Sequence, residues 1–182
     1  MNAQPAGSAY FFASSSEEPV THTLSVIVDN EPGVLARVVG LFSGRGYNIE
    51  SLTVTETEHQ KHLSRITIVT TGKPMILDQI KNQLGRMVPV HRVTDLTDTG
   101  RPLERELALV KVVGRGDNRV EALRLAEIYE AKVIDATTEH FVFQVTGTSY
   151  KVGEFLDIMQ HLGMVEVART GVAAMQRGQE VL

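Results

Sequence analysis

The 182-residue sequence predicts an α+β chain of two tandem βαββαβ units, each a four-stranded antiparallel sheet covered by helices on one face. Three observations carry this prediction. Apolar stretches of period two alternate with apolar stripes of helical spacing in the order βαββαβ. A polar break, Thr97-Asp98-Thr99-Gly100-Arg101-Pro102, has the composition of a linker. The same order of elements then recurs. Tandem units of this order are ferredoxin-like.

In the first unit Leu24, Val26 and Val28 alternate with Ser25, Ile27 and Asp29, a strand with at least one buried face. Val34, Leu35, Val38, Leu41 and Phe42 then recur at helical spacing, and Gly46 after Arg45 marks the end of that helix. "NIESLTVTETE" and "LSRITIVTTG" read as two strands around a polar hairpin, Glu56 to His62. A second helix carries Ile76, Leu77, Ile80, Leu84 and Met87 on one stripe, with Pro74 near its start, and "VPVHRVTDL" closes the unit as a strand. In the second unit "ERELALVKVV" is a strand and "NRVEALRLAEIYE" a helix with a less clean stripe. "AKVIDAT" and "HFVFQVTG" are strands, Val152, Phe155, Leu156 and Met159 mark a helix, and "MVEVART" is a final strand. Residues 22–97 and 104–182 are thus two domains joined by a linker at 98–103. Strand residues are apolar on both parities, and dimerisation through sheet edges or helices would cover the face the helices leave open.

Residues 1–21 read as a flexible tail, small and polar around Tyr10-Phe11-Phe12. They lack the basic start and longer apolar stretch of a signal peptide and the arginines of a transit peptide. No apolar run approaches a membrane span, so the expectation is a cytoplasmic protein without membrane contact. Hydrophobic residues make up 42 %, enough for packed cores. With 18 Lys+Arg against 22 Asp+Glu, aromatics at 5 % and no tryptophan, nucleic acid is excluded as the main partner. The absence of cysteine excludes disulfides, thiolate nucleophiles and Cys-ligated zinc.

The stretch that points to a ligand is Asp29-Asn30-Glu31-Pro32-Gly33, between the first strand and first helix. On one reading it is punctuation, with Asn30 as N-cap, Pro32 in the first helical turn and Gly33 permitting close packing. On the other, the helix mouth offers unpaired N–H groups and a positive dipole end to a small carboxylate. Gly33 then leaves its own N–H and that of Val34 unshielded, and Asn30 serves the ligand's polar groups.

"NEPGVLARVVGLFSGRGYNIESLTV" resembles the ligand-binding stretch of ACT domains, specifically that of the small, regulatory subunit of acetohydroxyacid synthase, also called acetolactate synthase. The resemblance continues through "LSRITIVTTG", "VHRVTDLT", "ERELALVKV" and "VEVARTGVAAMQRG", covering nearly everything after the tail. It implies a non-catalytic chain that activates a large catalytic subunit and confers feedback inhibition by valine, possibly by leucine or isoleucine too, in branched-chain amino-acid synthesis. Thiamine diphosphate, Mg and FAD would belong to that catalytic partner, and no cofactor or metal to this chain. The resemblance also implies a homodimer through the first domain with the amino acid at its interface. The effector positions carry over to Asn30, Gly33 and Val34 on one protomer and to Asn48 and Ile49 across the interface, with Ala36 close by. Ile49 then offers an apolar surface to a branched side chain, and one methylene discriminates by only about 1–3 kcal/mol.

Other features point to structure. Gly114-x-Gly116 lacks the third glycine and distal acid of a dinucleotide loop, and Asp117 and Asn118 as helix caps, with Glu121 completing a box, explain it better. The six histidines are scattered; His59 and His62 read as solvated loop residues. Ser14-Ser15-Ser16 and Ser149 have no activating partners, Ser149 reads as a helix cap, and Glu104-Arg105-Glu106 as a solvated strand start. The rival function is a free-standing ACT-domain sensor controlling another enzyme or regulator, which has no need of residues 104–182. An RNA-recognition module of the same topology requires aromatic and basic residues on strands that here read "LSRITIVTT" and "SLTVTETE".

Overall fold

A computed structural model describes residues 18–58, 60, 62–98 and 100–179. Ser14-Ser15-Ser16, His59 and most of the expected tail lie outside the described residues.

The first unit comprises β1 (Val20–Asp29), α1 (Val34–Ser43), β2 (Ser51–Glu58), β3 (Leu63–Gly72), α2 (Pro74–Leu84) and β4 (Val90–Asp95). Its strands lie in the order β2-β3-β1-β4, and every paired neighbour is antiparallel. β1 begins two residues inside the expected tail, because Val20 and Thr21 pair with Gly72 and Thr71 of β3. Register explains the core. Leu24, Val26 and Val28 share the helix-facing side of the sheet with Ile66 and Ile68. α1 brings Val34, Val38 and Phe42 to that side, and α2 brings Leu77, Ile80 and Leu84. Each such side chain contributes about 1.5–3 kcal/mol when fully buried. Lys73 is the N-cap of α2 and Pro74 its first residue, where a missing N–H costs nothing.

The second unit repeats the plan with β5 (Leu103–Val113), α3 (Asp117–Ile128), β6 (Lys132–Ala136), β7 (His140–Gly147), α4 (Ser149–His161) and β8 (Met164–Arg169), in the order β6-β7-β5-β8. Phe141, Phe143 and Phe155 fill its core. Phe143 packs edge-on against Phe155 at 6.1 Å between ring centres. Only Ala122 and Ala126 of α3 are buried, while Val120 and Ile128 are exposed, which accounts for its weak stripe.

A ninth strand, β9 (Ala173–Met175), pairs with the start of β5. Three residues are too short for a periodic signal, and the sequence pattern predicts no strand beyond β8. Val172 and Ala174 form a small core with Leu96 of the first unit, against which Val69 packs. The two units are thereby joined by apolar contact as well as by covalent linkage.

Candidate functional site

The chain leaves β1 with the Asn30 N–H bonded to the His62 carbonyl at 2.7 Å. Glu31 to Val34 form a tight turn, closed by Val34 N–H to the Glu31 carbonyl at 3.3 Å. Gly33 has φ 87° and ψ −9°, the left-handed third position of a type II turn, for which Pro32 supplies the preferred second residue. This corrects the expected capping. Gly33 itself is the N-cap of α1, Pro32 precedes the helix, and no side chain, Asn30 included, caps its first turn. The turn swings the backbone through a left-handed step, so Asn30 lies too early to reach the helical N–H groups. A Cβ on Gly33 would meet nothing within 4 Å, so the space before the helix mouth is open. Asn30 and Gly33 are exposed, whereas Val34 is buried in the core and its N–H, expected to be bare for a ligand, closes the turn on the Glu31 carbonyl instead.

At its other end α1 stops as the sequence predicts. Gly46 takes φ 69°, with Tyr47 N–H bonded to the Phe42 carbonyl at 3.0 Å and Gly46 N–H to Ser43 at 3.3 Å. The chain then runs to Asn48, which is exposed and whose carbonyl accepts from Thr70 Oγ1 at 2.6 Å. Ile49 is half-buried against the first core. The five expected residues therefore form two groups, Asn30–Gly33–Val34 before α1 and Asn48–Ile49 after it. They are separated by a 10-residue helix, about 15 Å at 1.5 Å per residue.

The second unit's loops do not form a dinucleotide site: Gly114-x-Gly116 leads into an antiparallel sheet. Gly116, not Asp117 or Asn118, is the N-cap of α3, and Glu121 pairs with Arg124 at 2.6 and 2.9 Å. Thr148, not Ser149, caps α4, accepting from Lys151 N–H at 3.2 Å. Histidines are held by carboxylates: His22 by Asp95 and His91 by Asp29, both at 2.6 Å. His22, Asp95 and Asp98 cluster closely enough to hold a metal ion. The Lys81 ammonium already lies 3.3 Å from Asp95 and 2.9 Å from Asp98, with Asp78 at 3.1 Å. The Lys81 pKa is pushed above the usual lysine range, chiefly by its bond to Asp98, and that bond holds Asp98 below the usual carboxylate range.

Glu104-Arg105-Glu106 is not a solvated strand start. Glu104 accepts from Thr23 Oγ1 of the first unit at 2.5 Å. Glu106 has a side chain only 3 % exposed and takes both arms of Arg169, at 2.5 and 2.8 Å. The Arg169 guanidinium holds the Glu106 carboxyl below its ordinary value, against the opposing effect of burial. These residues line a cleft of about 850 Å³ between the units, with Ser51, Val69, Arg101 and Thr170. Nothing in the sequence flags this cleft, because its walls come from strands far apart along the chain.

The fold and the open helix mouth define a class, tandem α+β chains of ACT type. Residues 24–92 match the family described as "AHAS small subunit-like ACT domain", and residues 105–178 match "Small subunit of acetolactate synthase". A probable acetolactate synthase small subunit from Archaeoglobus fulgidus is 43 % identical over 159 residues, spanning 87 % of this chain and 98 % of that one. The acetolactate synthase isozyme 3 small subunit of Escherichia coli is 46 % identical over 160 residues, spanning 87 % and 97 %. The crystal structure of the acetolactate synthase small subunit from Thermotoga maritima superposes with TM-score 0.79 at 37 % identity, covering 88 % of this chain and 99 % of that one. The chain belongs to the family of small, regulatory subunits of acetolactate synthase. Among the described residues no helix is long and apolar enough to cross a membrane.

Proposed function

We propose that this chain activates the thiamine-diphosphate-dependent catalytic subunit of acetolactate synthase in the cytoplasm and makes it sensitive to feedback inhibition by valine. Thiamine diphosphate, Mg and FAD reside on the catalytic partner. The effector's carboxylate docks at the mouth of α1, on the N–H groups of the first helical turn approached through the open space at Gly33, with Asn30 on its polar groups. Asn48 and Ile49 of a second copy close the site. The observation that carries this reading is the division of the site residues between the two ends of α1. A two-fold axis that sets two such helices side by side and antiparallel brings the end of one beside the start of the other, so two copies complete two sites. Open space before Gly33 is a second support. Inhibition arises because valine binds the inactive arrangement of the complex better than the active one.

The test is acetolactate formation by the cognate catalytic subunit, with and without this chain, across a valine titration. Stimulation that valine removes is the expected result. A catalytic subunit that is active alone and indifferent to this chain would overturn the partnership and favour the free-standing sensor.

A further inference from the structure

Where the two units meet, a short segment of the second lies across the start of β2 in the first. Gly171, between β8 and β9, has φ 80°, a left-handed backbone that favours glycine. A Cβ there would stand 2.8 Å from Thr53 Oγ1, 2.9 Å from Ser51 Oγ and 3.3 Å from the Leu52 carbonyl. Val172 N–H donates to Ser51 Oγ at 2.8 Å, and Thr53 Oγ1 donates to the Thr170 carbonyl at 3.4 Å. On its other side the segment is tied to β5. Thr170 N–H donates to the Leu107 carbonyl at 3.0 Å, and Thr170 Oγ1 accepts from Leu107 N–H at 3.1 Å. Behind it Val172 and Ala174 are buried with Leu96. Ser51 is the first residue of β2 and follows Asn48 and Ile49 by two or three positions.

We propose that Thr170–Val172 is a coupling strap, through which occupancy at Asn48 and Ile49 is read by the second unit. This coupling rests on the effector-site reading above. An amino acid seated on Asn48 and Ile49 shifts or stiffens the start of β2. The strap has no slack to absorb that change. A Cβ on Gly171 would stand within 3.3 Å of three oxygens, one of them the Leu52 carbonyl, and the Val172 N–H that holds Ser51 Oγ is main chain, so the strap's side of the contact cannot relax by a rotamer change. Movement of Ser51 therefore carries Thr170–Val172 with it, and the paired bonds at Leu107 pass it to β5, an inner strand of the second sheet that pairs with β7, β8 and β9. The two units behave as bodies whose relative placement the effector biases through this contact, beside the apolar contact at Leu96 and the Thr23–Glu104 hydrogen bond.

The test uses the full chain with its catalytic subunit. Ser51→Ala removes the acceptor of Val172 N–H and leaves the effector residues untouched. Thr170→Ala removes the hydroxyl that ties the strap to Leu107, and Thr170→Ser keeps it. Gly171→Ala wedges a carbon between strap and strand. Folding is checked by circular dichroism melts, valine binding to the free chain by calorimetry, and inhibition by a valine titration of acetolactate formation. Ser51→Ala and Thr170→Ala are expected to bind valine as wild type does and to stimulate the enzyme normally without valine. Half-inhibition then requires about tenfold more valine. Thr170→Ser is expected to match wild type. Folded Ser51→Ala and Thr170→Ala chains that are inhibited as wild type would overturn the strap, and so would loss of valine binding in either. A wild-type chain that binds no valine would instead overturn the effector-site reading, and the strap with it.

Discussion

Gly33→Asp, with Gly33→Ala as its control, probes the proposed effector site most directly. Alanine at φ 87° costs about 1–2 kcal/mol of backbone strain, and its Cβ meets nothing within 4 Å, so no steric penalty is added. Aspartate tolerates the left-handed region better, and its carboxylate at the N-terminus of α1 complements the helix dipole by about 0.3–1 kcal/mol. Gly33→Asp is therefore expected to melt within a few degrees of wild type and no lower than Gly33→Ala. Its effect on the effector is far larger. Two like charges 4 Å apart repel by about 1 kcal/mol in bulk water and about 4 kcal/mol at the effective dielectric near a protein surface. The new carboxylate also claims the N–H groups that the effector needs, a charge-assisted interaction of about 1.5–3 kcal/mol. A combined loss of about 3 kcal/mol weakens valine binding more than about 100-fold. The assay is calorimetric titration of valine, paired with inhibition of acetolactate formation. Stimulation without valine is expected to survive. A folded Gly33→Asp chain that retains wild-type valine sensitivity would refute the proposed site.

Arg169→Ala leaves the Glu106 carboxylate, 3 % exposed, without its partner. The guanidinium it replaces is 41 % exposed and its space admits water, so the loss at pH 7 is about 2–3 kcal/mol, below that of a fully buried pair. The wild-type Glu106 pKa is held low, so its stabilisation is present above the unfolded glutamate value of about 4.3 and is lost as pH falls through the folded value. The Arg169→Ala deficit in urea unfolding should accordingly persist near neutral pH and shrink as pH falls below about 4.3; a deficit that acidification leaves unchanged would contradict the pairing. Lys81→Met removes a cation shared by Asp78, Asp95 and Asp98, and is expected to cost about 1–2 kcal/mol. Because the folded Lys81 pKa is raised, its contribution is present below the unfolded value of about 10.4 and is lost as pH rises through the folded value. Wild type and Lys81→Met melts should therefore converge in strong base. Phe143→Ala opens a cavity between Phe141 and Phe155 and is expected to cost about 3–5 kcal/mol in denaturant unfolding.

Much of the fold is legible in short windows of sequence. The stripe Val34-Val38-Phe42, Pro74 at the start of α2 and Gly46 after α1 each act within a turn or two of chain. Local periodicity and backbone preference therefore determine the element order of both units and most of their core-facing residues, although Leu35 of the first helical stripe is exposed. The helix mouth was legible as a position, since Pro32-Gly33 interrupts two well-marked elements. Its geometry was not, because Asn30 is the better N-cap residue by local preference and only the left-handed turn puts Gly33 in that place. What tertiary structure alone decides are pairings between distant residues. Glu106 reads as solvated until Arg169, 63 residues away, closes on it. Ser51 reads as an ordinary strand residue until Val172, 121 residues on, bonds to it. β9 exists only because β5 offers its edge. The physical reason is common to all three. Helix and strand preferences are set by steric and hydrogen-bonding terms between near neighbours in the chain. The burial of a carboxylate or the docking of a three-residue strand depends on which distant surface the folded chain brings to it.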